Sequence, residues 1–266
     1  MTTRPAQPLA DAVPRRLLWK SLVADDAHGP LPLLLLGLTV VTGVVDAVSI
    51  LALGRVFVAN MTGNVVFVGF ALAGAAGFSL AASLLGLVGF LAGAGLGGRL
   101  IGWFGSDRAR LLAIAAGVEC ALYGLATVVV DLSAQPVPAS SHNIAVTVLA
   151  VATGVQNAVV RRLAVPDLTT TVLTMTLTGI AADLRGGARS TAFVRRLLAV
   201  ATMLGGAVVG AELVLHNGPA IALVAGSALL AVVTAAAWQA TRRPGAWRAG
   251  ATPASAAPTA HEGSTR

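Results

Sequence analysis

Two acids interrupt otherwise apolar stretches of this chain. Asp46 lies in "TGVVDAVSILALGRVFVANMTGN" (42–64) and Glu119 in "AIAAGVECALYGLATVV" (113–129). A carboxyl group in hydrocarbon costs roughly 2.5–3.5 kcal/mol on insertion scales, so it needs a partner or a task. The chemistry open to Asp46 is to carry a proton, hold a cation or touch a polar solute. A structural pair with Arg55 or an asparagine is the alternative. Just downstream, "NMTGN" supplies Asn60, Thr62 and Asn64 around Gly63, either as a cavity lining or as a helix cap. Further on, "QNAVVRR" supplies Gln156 and Asn157, and "TTTVLTMTLT" (169–178) supplies Thr171 and Thr174. Hydroxyls so frequent can bond a neighbouring helix or contact solute. Glu119 either shares a proton path with Asp46 or bonds across helices. Arg161 and Arg162 either mark a membrane boundary or attract an anionic substrate.

No catalytic set accompanies these groups. There is no His-Glu-x-x-His, P-loop or nucleophile elbow, and His142 and His216 both fall near one membrane face. The single cysteine, Cys120, has neither a disulfide partner nor metal-ligand spacing. An enzyme, a bound metal and a cofactor are therefore not expected.

The elements that must carry these residues are membrane helices. Hydrophobic residues make up 56% of the chain and charged residues 11%, with a mean hydropathy of +0.83. A soluble domain carries about 25% charge. Runs of spanning length occur at Leu31–Leu53, Ser79–Trp103, Leu111–Asp131, Asn143–Val160, Leu197–His216 and Pro219–Ala240. Val56–Gly77 and Pro166–Asp183 are apolar but begin with polar residues. The runs are apolar on both parities, which excludes a β-barrel pattern. The expected fold is an all-α polytopic bundle with six full spans plus two re-entrant or broken helical segments. Eight spans is the alternative.

Orientation follows from basic residues, which favour the cytoplasmic side. Six spans with the N-terminus inside place 17 of the 18 Lys and Arg inside, leaving only Arg55 out, whereas eight spans leave 12 of 18 inside. The same spread of arginines argues against nucleic acid as the reason for the net charge of +7. The expectation is a multi-pass protein of the bacterial plasma membrane with both termini cytoplasmic. Residues 1–30 read as a tail, not a signal peptide, with 15–22 either along the membrane surface or disordered. Residues 132–142 read as an external linker and 241–266 as a disordered cytoplasmic tail.

The halves 31–131 and 143–240 share a pattern. "VVTGVVDAV" (40–48) matches "VATGVQNAV" (151–159) at six of nine positions, with Asp46 facing Asn157. At a shift of 112, Thr62 and Asn64 face Thr174 and Thr176, and "AGLGG" (94–98) faces "GAVVG" (206–210). Three crossings per half would invert one repeat relative to the other, with a site near the midplane. Gly93-x-x-x-Gly97, Gly98-x-x-x-Gly102 and Gly206-x-x-x-Gly210 permit close helix contact, within the chain or with a second copy. The leading expectation is a small-solute transporter coupled to protons or a cation. A passive channel and a non-transporting assembly or sensor protein are the alternatives. The partners expected are the lipid bilayer and an unidentified small solute or ion.

On "GVVDAVSILALGRVFVANMTGN" (43–64) and "GVQNAVVRRLAVPDLTTT" (154–171) the chain resembles the YoaK-like (DUF1275) family, over roughly residues 31–240. The second block carries "TMTLT" where the family pattern leads one to expect a glycine after the first threonine. The resemblance implies a multi-spanning bacterial plasma-membrane protein and brings no substrate with it.

Overall fold

The computed structural model describes residues 27–134, 137–171, 173–185 and 191–249. The surface segment expected at 15–22 and the tail 250–266 lie outside them. Among the described residues there are eight α-helices and one 3-10 turn. They are α1 (Leu31–Ala52), α2 (Met61–Leu72), α3 (Leu80–Phe104), α4 (Arg108–Asp131), α5 (Ala139–Leu163), α6 (Leu173–Arg185), α7 (Thr191–Asn217), α8 (Pro219–Ala240) and the 3-10 turn Ala246–Arg248.

Local chemistry sets the boundaries. Pro32 and Pro219 sit in the first turns of α1 and α8, where a missing N–H costs nothing. The Ser79 hydroxyl accepts the Ala82 N–H at 3.2 Å and starts α3. The Asp107 carboxylate accepts the N–H groups of Ala109 and Arg110 and so starts α4 three residues before the apolar run. Ala164 in the left-handed region ends α5.

Six helices are long and apolar enough to cross a membrane: α1, α3, α4, α5, α7 and α8. α2 and α6 have 12 and 13 residues. At 1.5 Å per residue they reach about 18–20 Å, short of the roughly 30 Å of hydrocarbon. The chain is thus an all-α polytopic bundle with six long apolar helices. Large apolar side chains on the outside, among them Val88, Leu91, Leu204 and Val232, are exposed as lipid-facing groups are. α1 and α5 form the centre, with 72% and 61% of their apolar windows buried.

Pairing in one half is matched in the other. α3 packs on α5 as α7 packs on α1, α4 on α5 as α8 on α1, and α2 on α3 as α6 on α7. Glycines make the two closest crossings. A methyl on Gly93 would meet the Val151 carbonyl, and one on Gly206 the Val40 carbonyl. One on Gly154 would meet Phe90 and Ala94 backbone, and one on Gly43 would meet Met203 and Ala207 backbone. The matching contacts are 111 residues apart on α1 and α5, and 113 apart on α3 and α7. The register of 112 expected for "AGLGG" and "GAVVG" is therefore one short, because Gly93 and Gly97, not 94 and 98, take the places of Gly206 and Gly210. Gly98 and Gly102 face open space. Of the two contacts expected for this pair, within the chain or with a second copy, the first is not made among the described residues.

The expected tail also begins too early. Residues 241–249 fold back on the bundle: the Trp247 indole is buried over Gly29, and Asp107 bridges to Ala249. Arg108 ties three segments by donating to the carbonyls of Ala27, Leu163 and Trp247. Arg248 pairs with Asp107. Burial alone would raise the Asp107 carboxyl, but the Arg248 side chain and the N–H groups of Arg110 and Ala109 outweigh it and hold it below its ordinary value.

Candidate functional site

Between α1 and α2 the chain leaves the helix while still buried. Leu53, Val56, Val58 and Ala59 are 0–4% exposed. A non-helical limb at such depth must find partners for its backbone. Side chains supply them. Asp46 Oδ1 accepts the N–H of Val58 at 3.3 Å and of Ala59 at 3.2 Å. Asn64 accepts the Phe57 N–H at 2.9 Å and donates to the Phe57 carbonyl at 2.6 Å. From the other half, the Thr153 hydroxyl donates to the Val58 carbonyl. The limb is therefore held open by an acid, an amide and a hydroxyl from three different elements.

The second limb, between α5 and α6, is held differently. Asn157 donates to the Thr153 carbonyl at 2.9 Å and accepts the Thr171 hydroxyl at 2.5 Å. Asp167, in the left-handed region at φ 66°, accepts from Arg196 of α7 at 2.7 Å.

The two limbs deliver the starts of α2 and α6 to one cavity of about 510 Å³. Its polar walls are Asn60, Thr62, Asn157, Thr171 and Thr174, with Phe90 and Met203 on the apolar side. A second cavity of about 630 Å³ runs between α3, α5 and the second limb toward Arg161, and shares Phe90 and Asn157 with the first. The first turn of a helix presents N–H groups without intrahelical partners and a partial positive charge. Two such ends border this cavity, so its field favours a solute with negative or acceptor groups.

Of the expected site residues, Asn60, Thr62, Asn157, Thr171 and Thr174 come together at this cavity. Asn64 does not. It is fully buried behind the wall, spent on Phe57. Asp46 is also one layer back and reaches the cavity through Ala59, which lines it. Its partners are backbone N–H groups, not Arg55, whose guanidinium lies beside Gly77. Gln156 is buried and donates to Thr42 at 3.4 Å, and Glu119 is buried on α4. Phe90, Met203, Thr153 and Tyr123 were not singled out by sequence reasoning. Phe90 and Met203 carry one readable signal, the separation of 113 residues that also relates Gly93 to Gly206.

The protein named "UPF0700 transmembrane protein YoaK" from Bacillus subtilis (strain 168) is 29% identical to this chain over 154 residues. The match covers 56% of this chain and 65% of that protein, just under two thirds of its length. No solved structure matches the chain. The family model described as "Protein of unknown function (DUF1275)" matches residues 34–236, and that span, over most of a bundle with six long apolar helices, makes the chain a member of this membrane-protein family.

Proposed function

We propose that this protein is a carrier for a small polar solute with acceptor or anionic groups, built from two inverted related halves. The duplication is supported by glycine contacts that recur at fixed separations of 111 and 113 residues. Three long helices precede the link at 132–138 and three follow it, so one half runs opposite to the other across the bilayer. With the basic ends of α4 and α5 cytoplasmic, as the arginine distribution favours, the larger cavity leads inward past Arg161 to a partition of Phe90 and Asn157.

One observation carries the reading: the starts of both short helices border the same cavity of about 510 Å³. In known transporters, broken helices bring unpaired N–H ends to a midplane site in this way. Asp46 gives a route for proton or cation coupling, since the backbone it tethers at Ala59 is itself cavity wall.

The test is a thermal-shift screen of the purified protein against pools of small metabolites, followed by uptake into proteoliposomes. The expected outcome is a stabilising solute whose effect is lost in Asn157→Ala and Thr174→Val, with saturable uptake. Flux that never saturates would make the protein a channel. A copurifying membrane partner with no solute flux would make it an assembly protein.

A further inference from the structure

Of the buried side-chain oxygens that make no hydrogen bond among the described residues, Thr170 Oγ1 lies in the second limb, and the other three, Glu119 Oε1, Tyr123 Oη and Gln156 Oε1, lie on α4 and α5 outside the cavity. Each of the latter three residues is only 1–2% exposed. All three atoms can act as acceptors, and two of them can do nothing else while Glu119 is ionised. The Gln156 amide nitrogen is committed to Thr42, which fixes the direction of its carbonyl oxygen. Tyr123 follows Glu119 by one turn on the same face of α4 and lies within electrostatic range of both Glu119 and Asp46.

The helix levels place Glu119 and Gln156 near each other along the bundle. Arg108 at the start of α4 bonds the Leu163 carbonyl at the end of α5, so the two helices run antiparallel from that point. Counted from there, Glu119 is level with Ala152, one turn or about 6 Å from Gln156. Side chains lean toward the N-terminus of their own helix. On antiparallel helices that carries Glu119 and Gln156 toward each other.

The charge count then selects the occupant. Asp46 already accepts two backbone N–H groups. The cations of α4 and α5, Arg108, Arg110, Arg161 and Arg162, lie in their end turns, and α8 has none. Cys120 is the other titratable group beside Glu119. Neither acid has a cationic partner among the described residues, and Glu119 Oε1 lacks even the neutral donors that Asp46 has. No cluster of three acids, histidines or cysteines occurs among the described residues, and hard divalent ions demand more carboxylate. We propose that Glu119, Tyr123 and Gln156 bind one monovalent alkali cation between α4 and α5. This deepens the coupling part of the carrier reading, but the site itself needs no transported solute.

The test is therefore made without solute. The detergent-purified full chain is melted in choline, sodium and potassium chloride at equal ionic strength and pH. The expected result is a saturable rise in melting temperature with sodium or potassium over choline, as for any ligand of the folded state. Glu119→Gln should abolish the response. Tyr123→Phe should raise the half-saturating concentration about tenfold, the loss of one oxygen ligand. Equal melting in all three salts overturns the proposal, as does a response that survives in Glu119→Gln. Stabilisation by acid alone in choline, with no alkali effect, also overturns it and makes the group a proton carrier. If Glu119→Gln does not fold, unchanged half-saturation in Tyr123→Phe decides against the site. None of these failures touches the solute cavity, whose own test is the metabolite screen.

Discussion

The glycine crossings allow a prediction with an internal control. Alanine is favoured over glycine in a helix by about 1 kcal/mol when there is room for its methyl. At Gly98 and Gly205 nothing lies within 4 Å of the added carbon, so Gly98→Ala and Gly205→Ala should stabilise by about 0.5–1 kcal/mol. At Gly97 the same carbon would come to 2.7 Å from the Ala158 Cβ, and at Gly210 to 2.8 Å from the Val44 Cα, where ordinary contact begins at 3.4 Å. At Gly93 and Gly206 it would meet a backbone carbonyl, which cannot rotate away. Helices forced apart lose contacts along the whole crossing, and overpacking of this kind costs about 1–3 kcal/mol. Because the obstacle is backbone, the upper part of that range, about 2–3 kcal/mol, applies, and set against the helix-propensity gain of about 1 kcal/mol Gly93→Ala and Gly206→Ala should each cost about 1–2 kcal/mol net. For a chain of this size that is a fall in melting temperature of about 2–8 °C. The assay is thermal unfolding in one detergent, with the four variants in parallel. The pairing makes a second demand: because Gly93 faces Val151 as Gly206 faces Val40, the two losses should agree within about 1 kcal/mol. Melting temperatures for Gly93→Ala at or above those for Gly98→Ala would refute the packing, and one harmful and one harmless variant would refute the symmetry.

The other predictions test the limb and the folded-back tail. Asn64→Ala strips both the N–H and the carbonyl of Phe57 of their partners, and should cost about 2–4 kcal/mol in thermal unfolding. Arg108→Met removes donors from three carbonyls on three segments, and should let a protease cut near residue 249 that spares the wild type. The Asp107 carboxyl is held below its ordinary 3.8, so its contribution is present above that pH and is lost as pH falls through the lower, folded value. Trp247 fluorescence should accordingly report release of the tail only below about pH 4, and at neutral pH in Asp107→Asn.

The long helices were legible because a crossing needs about 20 apolar residues in a row, and little else produces such runs. Their ends were less so. α5 extends to Ala139 and Leu163, past His142 at one end and Arg161 and Arg162 at the other, because helical hydrogen bonding continues after apolarity stops. By hydropathy the first limb belongs to an apolar segment from Val56. Its non-helical backbone leaves no mark on hydropathy, since Val56 and Val58 suit a buried irregular stretch as well as a helix. What reveals it is the pairing of Asn64 with Phe57 and of Asp46 with Ala59, and contacts 7 and 13 residues apart cannot be inferred from composition. The convergence of Thr62 with Thr174 was legible through the matched sequence blocks, while Asn60 has no counterpart in them. Asn64 fitted the same pattern and was misplaced, because a pattern gives the face of a helix only to within a residue.

The two limbs occupy matching places but differ in the group that holds them, and that difference bears on what each can do. Asn157 donates with its nitrogen and accepts with its oxygen, a pair of roles that no proton within the physiological range can alter. Asp46 only accepts, from two backbone N–H groups at once. A proton on that carboxylate would weaken both bonds, since hydrogen bonds to an ionised acceptor are about twice as strong as neutral ones. Val58 is also held by Thr153 from the opposite half, whereas Ala59, the residue that lines the cavity, has its N–H on Asp46. A change at Asp46 is therefore delivered to the cavity wall, while the second limb, fixed by an amide and by the Asp167–Arg196 pair, stays in place. The matching positions thus carry one limb that a proton can loosen and one that it cannot. Asp46→Asn should reproduce the weakened state permanently, leaving any solute site intact but insensitive to pH.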